Sequence, residues 1–193
     1  MKTVLFVPGF QEDLTSRNYD ATIRALEKAG YTVEFVAINW MRTTIDDWVR
    51  ELNDTYASYD PTKTILAGFS FGAMTVFMAS VSRSPAELWL FSLSPYFLED
   101  QKSRGFKQSW LKQIGHRRRD TFKKLQFSKL VKEITSKMIF FYGKDELKKW
   151  SDITYRDDVV ATLPHASLRL IDNVGHDVTN KLYVDAIIEE VAA

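Results

Sequence analysis

Ser70 stands between two glycines in the run Ala67-Gly68-Phe69-Ser70-Phe71-Gly72-Ala73, and the residue types on either side say how it would be used. An apolar β-type stretch, Thr64-Ile65-Leu66, leads in, and a helical stretch from Met74 to Val81 leads out. In the G-x-S-x-G arrangement a strand turns into a helix within a few residues, and the serine is forced into a strained backbone conformation at the bend. The flanking glycines are needed because strand and helix pass too close for a Cβ. The same bend raises the hydroxyl above the sheet edge and points the first helical N–H groups at it, so a nucleophile and half of an anion cradle arise together. Two glycines around a serine also occur by chance in loops. The strand before and the helix after separate this case from that one.

A serine hydroxyl is a weak nucleophile until a base takes its proton, and the base is usually a histidine oriented by a carboxylate. The chain has three histidines. His176, in Asn173-Val174-Gly175-His176-Asp177, follows an apolar strand and precedes the last helix, which puts it at the sheet edge where Ser70 sits. His165 precedes its strand and falls at the opposite edge. His116 neighbours Arg117, Arg118 and Arg119 and reads as solvated. For the carboxylate, Asp145 follows the strand Met138 to Tyr142 at the same edge as Ser70, with Glu146 and Asp172 as rivals. A strand-end Asp after Gly is also an ordinary turn residue. Strand-end position and chain order favour Asp145.

These residues need a scaffold, and the hydrophobic pattern supplies one. Short apolar runs at 4–7, 33–38, 63–67, 88–93, 138–142 and 168–171 read as strands, and between them lie helical patterns, including 45–56 with a Thr44/Asp47 capping box, a run after Ser70 apolar nearly all round, 155–163 and 178–191. Strands alternating with helices imply right-handed crossovers and a parallel sheet covered on both faces, an α/β three-layer sandwich. The interval 96–136 breaks the alternation. It reads as a helical insertion after the fourth strand, roofing the crevice outside the strand ends.

At 193 residues, 45% of them hydrophobic, the chain fits one globular domain spanning 1–193. It has no cysteine, which excludes disulfides and thiolate chemistry. The apolar start, Val4 to Val7, is cut short by Pro8-Gly9, and no stretch approaches bilayer-spanning length; the expected location is the cytoplasm. Net charge is +1, but 101–137 holds 12 Lys+Arg against two acids.

Taken together, the order Ser70, Asp145, His176 resembles that of the α/β-hydrolase superfamily, and differs from the orders in chymotrypsin and subtilisin. The resemblance runs from Val4 through the last helix. Gly68-Phe69-Ser70-Phe71-Gly72 is similar to the family's elbow, Tyr142-Gly143-Lys144-Asp145 to its acid turn, Gly175-His176-Asp177 to its histidine loop, and Pro8-Gly9-Phe10 to the loop that completes the oxyanion hole, with Pro8 where many members have His. The chain starts at the family's third strand, which implies six parallel strands in order 2-1-3-4-5-6. The resemblance further implies that the Phe10 and Phe71 backbone N–H groups bind the oxyanion.

The implied activity is a serine hydrolase of the carboxylesterase type, cleaving esters or thioesters through an acyl-enzyme without cofactor or metal. In this topology Phe10, Trp40, Met41, Phe69, Phe71, Tyr96, Phe97 and Trp110 fall near enough to line an apolar acyl pocket, although aromatic residues at such positions are as often core. Three alternatives stay open. The basic insertion, through Arg117, Arg118 and Arg119, serves an anionic substrate such as an acyl-carrier or CoA thioester, or a methyl ester; the fold carries a ligand-binding protein without chemistry; or the insertion docks an acidic macromolecule. Nucleic acid is not expected, since no recognisable module accompanies the charge.

Overall fold

The structure, a computed structural model, describes residues 1–13, 15–102, 106, 108–149 and 154–191. Two of the basic residues counted above, Arg104 and Lys107, lie outside the described residues. Strand β1 (Thr3–Val7) is followed by helix α1 (Asp20–Lys28), β2 (Thr32–Phe35), α2 (Ile45–Tyr56), β3 (Thr64–Phe69), α3 (Phe71–Ser80) and β4 (Glu87–Phe91). Four short helices come next: α4 (Leu98–Lys102), α5 (Gln108–Ile114), α6 (His116–Phe122) and α7 (Phe127–Leu130). The chain then returns through β5 (Lys137–Gly143), α8 (Lys144–Lys149), α9 (Thr154–Ala161), β6 (Ala166–Ile171) and α10 (Lys181–Val191).

The six strands form one parallel sheet in the order β2-β1-β3-β4-β5-β6, as the alternating pattern and the resemblance led us to expect. Side chains alternate across it. Val4 and Phe6 of β1 pack toward α1 and α10, while Leu5 and Val7 pack toward α2, α3 and the insertion. Helix α3 is buried nearly all round, so it lies against the sheet with α2 and the insertion outside it.

Several sequence expectations shift at their ends. The second strand stops at Phe35, although Val36 N still donates to Phe6 O at 2.8 Å and Val36 and Ile38 are buried as a strand's residues would be. The last helix begins at Lys181 because Asp177 Oδ1 accepts from Thr179 N and Oγ1 at 2.9 and 2.6 Å, which turns the chain before helix can form. The turn expected at Gly143-Lys144-Asp145 is instead the entry into α8. The Thr44/Asp47 capping box is present, with Thr44 N donating to Asp47 Oδ2 at 3.0 Å.

The insertion is tied to the body at its root. Arg156 of α9 and Asp100 of α4 form a buried ion pair, Nη2 to Oδ2 at 2.6 Å. One residue earlier, Glu99 accepts from Phe127 N and Ser128 N at 3.1 Å each, joining α4 to α7. No helix among the described residues is long and apolar enough to cross a membrane.

Candidate active site

The elbow has the backbone its sequence demands. Ser70 sits at φ 58°, ψ −115°, between the end of β3 and the first turn of α3. A Cβ on Gly68 would come within 2.5 Å of the Gly72 backbone, and one on Gly72 within 2.2 Å of Val7 O and 2.3 Å of Pro8 O. Gly72 therefore lets α3 press against the loop leaving β1. That contact sets the Phe10 backbone beside the start of α3, where the Phe10 and Phe71 rings pack with centroids 5.3 Å apart.

The loop itself is clamped from below. Gly9 N donates to Tyr19 Oη at 2.8 Å and to Glu12 Oε2 at 2.9 Å, and Tyr19 Oη donates to Glu12 Oε2 in turn. Burial, reinforced by the Glu12 carboxylate, raises the Tyr19 phenol far above its ordinary range, so it stays a donor. The next amide, that of Phe10, has no hydrogen-bond partner among the described residues. Phe71 N heads α3, where a helix leaves its first amides unpaired.

His176 reaches Ser70 from the loop after β6, Nε2 lying 3.0 Å from Ser70 Oγ. Its ring packs on Phe69, with centroids 4.7 Å apart, and its side chain is 33% exposed. Its other nitrogen, Nδ1, lies 2.7 Å from Glu146 Oε2. A carboxylate can only accept, so Nδ1 carries the proton of the neutral ring and Nε2 is left to accept from Ser70.

The carboxylate on His176 is thus Glu146, where sequence order favoured Asp145. The reason is α8. Helix begins at Lys144, so consecutive side chains diverge by about 100°: Asp145 turns outward to Lys148, 2.6 Å away, and Glu146 turns inward to 1% exposure. Two contacts fix this. Asp145 N donates to Val174 O at 3.0 Å, and a Cβ on Gly143 would come within 2.2 Å of that same oxygen, so the β5 and β6 exits lie backbone against backbone. The buried carboxylate is fully hydrogen-bonded: Oε1 accepts from Ser92 Oγ at 2.8 Å and Gly143 N at 3.1 Å, while Oε2 takes the histidine. Asp172, the other rival, pairs with Lys144 at 2.7 Å.

The remaining histidines lie elsewhere. His165 immediately precedes β6 at the far edge of the sheet, its Nε2 2.8 Å from Ile134 O, and His116 is exposed at the start of α6.

A cleft of about 270 Å³ opens over Ser70 and His176, lined by Phe71, Ser94, Pro95, Tyr96, Trp110 and Gln113. Only part of the expected aromatic lining reaches it. Trp40 is buried in a cluster with Phe10 and Trp48, its Nε1 donating to Glu12 O at 3.1 Å. Phe97 is buried against Phe77 and Phe127, Phe69 lies beneath the histidine ring, and Met41 is 72% exposed on the surface. Tyr96 keeps its place, and burial pushes its phenol up to about 12, so it remains neutral. Sequence reasoning missed Ser92 and Ser94; their serine types at the exit of a strand were the available signal.

The three consecutive arginines do different jobs. Arg118 donates from Nε to Thr43 O at 2.9 Å and from Nη2 to Trp40 O, and lies over the Phe10 ring at 4.8 Å. Arg117 Nη1 donates to Arg42 O at 3.0 Å, and Arg119 pairs with Asp120 at 3.1 Å. Arg42, His116, Arg117 and Arg118 edge a separate hollow of about 420 Å³. Among the described residues, no ion pair within 4.0 Å neutralises Arg42, Arg117 or Arg118. Burial and then the Arg117 charge press the Arg118 guanidinium below its ordinary value. No group of His, Asp and Glu among the described residues is placed to hold a metal ion.

The fold and this strand order are those of the α/β hydrolases, and solved structures of that class superpose along nearly the whole chain. Est1E from Butyrivibrio proteoclasticus matches with a TM-score of 0.74 at 13% identity, over 99% of this chain and 85% of that one. The thioesterase domain from the curacin biosynthetic pathway matches with a TM-score of 0.74 at 12% identity, over 100% and 91%. An α/β hydrolase from the metagenome of sediments of the Mar Chica lagoon, Morocco, matches at 0.72 and 16% identity, over 98% and 88%. No protein-family model matches the sequence, and no curated protein does.

Proposed function

We propose that the chain is a serine hydrolase that cleaves a carboxylic ester or thioester through an acyl-enzyme, with Ser70 as nucleophile, His176 as base and Glu146 as the acid that orients it. The observation that carries this reading is the unbroken hydrogen-bonded run from Ser70 Oγ through His176 to a buried, fully satisfied carboxylate. In the first half-reaction Ser70 Oγ bonds to the substrate carbonyl carbon as its proton passes to His176 Nε2, and the Phe10 and Phe71 amides take the negative charge that forms on the carbonyl oxygen. Donors so aimed are worth on the order of 3 kcal/mol each. The tetrahedral species collapses, the leaving oxygen or sulfur takes the proton from His176, and water repeats the sequence to free the acid. Glu146 keeps the imidazole in one tautomer and balances its charge when it is protonated.

The cleft favours compact acyl groups, since about 270 Å³ holds a small ligand and several side chains expected to line an apolar acyl pocket, Trp40 and Phe97 among them, pack against other rings instead. Among the structural neighbours are Est1E with ferulic acid bound and a thioesterase domain, which supports ester or thioester chemistry on this scaffold. A second reading concerns the leaving group: Arg42 and Arg117, which have no carboxylate partner among the described residues, hold an anionic portion of the substrate outside the cleft.

Labelling with a fluorophosphonate, followed by mass spectrometry, tests the core of the proposal. The wild-type chain is expected to be modified at Ser70, and Ser70→Ala to lose labelling and at least about 10³-fold of its turnover on p-nitrophenyl esters while keeping its melting temperature. An unlabelled wild type with no turnover across the ester and thioester panel would favour a binding protein that shares the fold.

A further inference from the structure

A second serine touches the nucleophile. Ser94 Oγ lies 3.0 Å from Ser70 Oγ, and Ser94, only 3% exposed, faces the cleft with Ser70 and His176. Its hydroxyl has no other hydrogen-bond partner among the described residues. The direction of this bond follows from counting protons. Ser70 has one hydroxyl hydrogen and must give it to His176 Nε2, so in the reactive arrangement Ser94 is the donor and Ser70 Oγ the acceptor.

The position of Ser94 is built, in the sense that its backbone is held from beneath. Arg156 Nη1 donates to Leu93 O at 2.9 Å and to Tyr142 Oη at 2.8 Å, and its Nη2 donates to Ser94 O at 3.3 Å and to Asp100 at 2.6 Å. Two residues upstream, Ser92 adopts φ 49° and places its own hydroxyl on Glu146. The segment Ser92-Leu93-Ser94 therefore delivers one hydroxyl to the acid and one to the nucleophile.

From this geometry we propose that Ser94 is a further catalytic residue: its hydroxyl donates to Ser70 Oγ and stabilises the charge that oxygen carries at both ends of the catalytic cycle. The inference rests on the serine-hydrolase reading above. On acylation, as the Ser70 proton moves to His176 and the new C–O bond forms, Oγ is transiently electron-rich and the Ser94 hydrogen bond strengthens. On deacylation the C–Oγ bond breaks and its electron pair returns to Oγ, which is then protonated from His176; the same donor meets the same charge. Ser94 keeps its own proton throughout. A hydrogen bond to a developing charge contributes more than one to a neutral group, and its loss corresponds to roughly a tenfold slower step.

The test is stopped-flow hydrolysis of p-nitrophenyl acetate, resolving burst and steady state, with the rate of fluorophosphonate labelling measured in parallel for wild type, Ser94→Ala and Ser94→Cys. Ser94→Ala is expected to slow acylation, deacylation and labelling about tenfold each, with KM within twofold, and Ser94→Cys, a weaker donor of similar shape, to fall between. Burst, steady-state and labelling rates within twofold of wild type in both variants would overturn the role of Ser94 alone. An effect confined to KM, or labelling of Ser94 itself in Ser70→Ala, would also overturn it. A wild type unlabelled at Ser70 would remove the nucleophile assignment and this inference with it.

Discussion

Ser92 Oγ donates to Glu146 Oε1 at 2.8 Å, from a residue whose backbone lies in the left-handed region at φ 49°. A non-glycine residue adopts that conformation at a cost of order 1 kcal/mol or more. Here the cost goes with a hydrogen bond to a buried carboxylate that would otherwise lack one of its donors. Tyr183, with Oη 2.9 Å from Ser92 Oγ, closes the far side of the same network, and burial together with the Glu146 charge holds its phenol protonated. Glu146, the exit of β4 and the last helix are thus linked through two hydroxyls.

The first prediction concerns which carboxylate serves His176. Glu146→Gln keeps size and reach but replaces one carboxylate oxygen by an amide nitrogen that donates, so the imidazole loses its preferred tautomer; kcat is expected to fall by about 10²–10⁴-fold. Asp145→Asn, whose partner is the exposed Lys148, is expected to stay within twofold. Steady-state rates on one ester decide it, and a larger loss in Asp145→Asn than in Glu146→Gln would return the acid to Asp145.

A methyl at Gly72 probes the packing that positions the Phe10 amide. The Cβ of Gly72→Ala would meet Val7 O and Pro8 O at 2.2 and 2.3 Å, which are backbone atoms with little room to yield. The expected outcome is a loss of about 1–3 kcal/mol in urea unfolding, typical of overpacking, together with at least a tenfold fall in kcat as the Pro8-Gly9-Phe10 loop is displaced. Stability and turnover both at wild-type level would show that the loop is not set by this contact.

Charge at the insertion gives the third. Replacing Arg42 and Arg117 together by Gln is expected to lower kcat/KM for a CoA thioester several-fold at low ionic strength, and the deficit should shrink as the Debye length falls from about 10 Å at 0.1 M salt. A deficit that is the same at low and high salt, or none at all, would argue against electrostatic capture there. Arg118 is left out of this variant because its guanidinium ties the insertion to the Trp40 and Thr43 carbonyls.

Much of the architecture was legible because its causes are local. Six apolar runs, each too short for a helix and separated by helical periodicity, leave a parallel sheet as the natural solution, and the glycines around Ser70 mark a close approach that the structure contains. Ser70 and His176 could be placed because each sits at a strand exit. The carboxylate that meets His176 could not be chosen between neighbours: Asp145 and Glu146 differ by one residue, and which faces inward depends on where α8 starts, a matter of contacts with Val174 that are remote in sequence. The aromatic residues failed for a related reason. Trp40 and Phe97 have the composition of a pocket wall, but only three-dimensional packing separates a ring facing a cleft from one facing another ring.

The root of the insertion bears on how a substrate enters. With α4 bound to α9 through Asp100 and Arg156, and to α7 through Glu99, both feet of the segment between β4 and β5 are riveted to the body and to each other. It resembles an arch on two fixed piers more than a flap on a hinge. Under the proposed function, a substrate would reach Ser70 beneath the span, beside Trp110 and Gln113 of α5, and changes in that span would alter which molecules are admitted without disturbing the masonry that holds Ser94 and Ser70 in line.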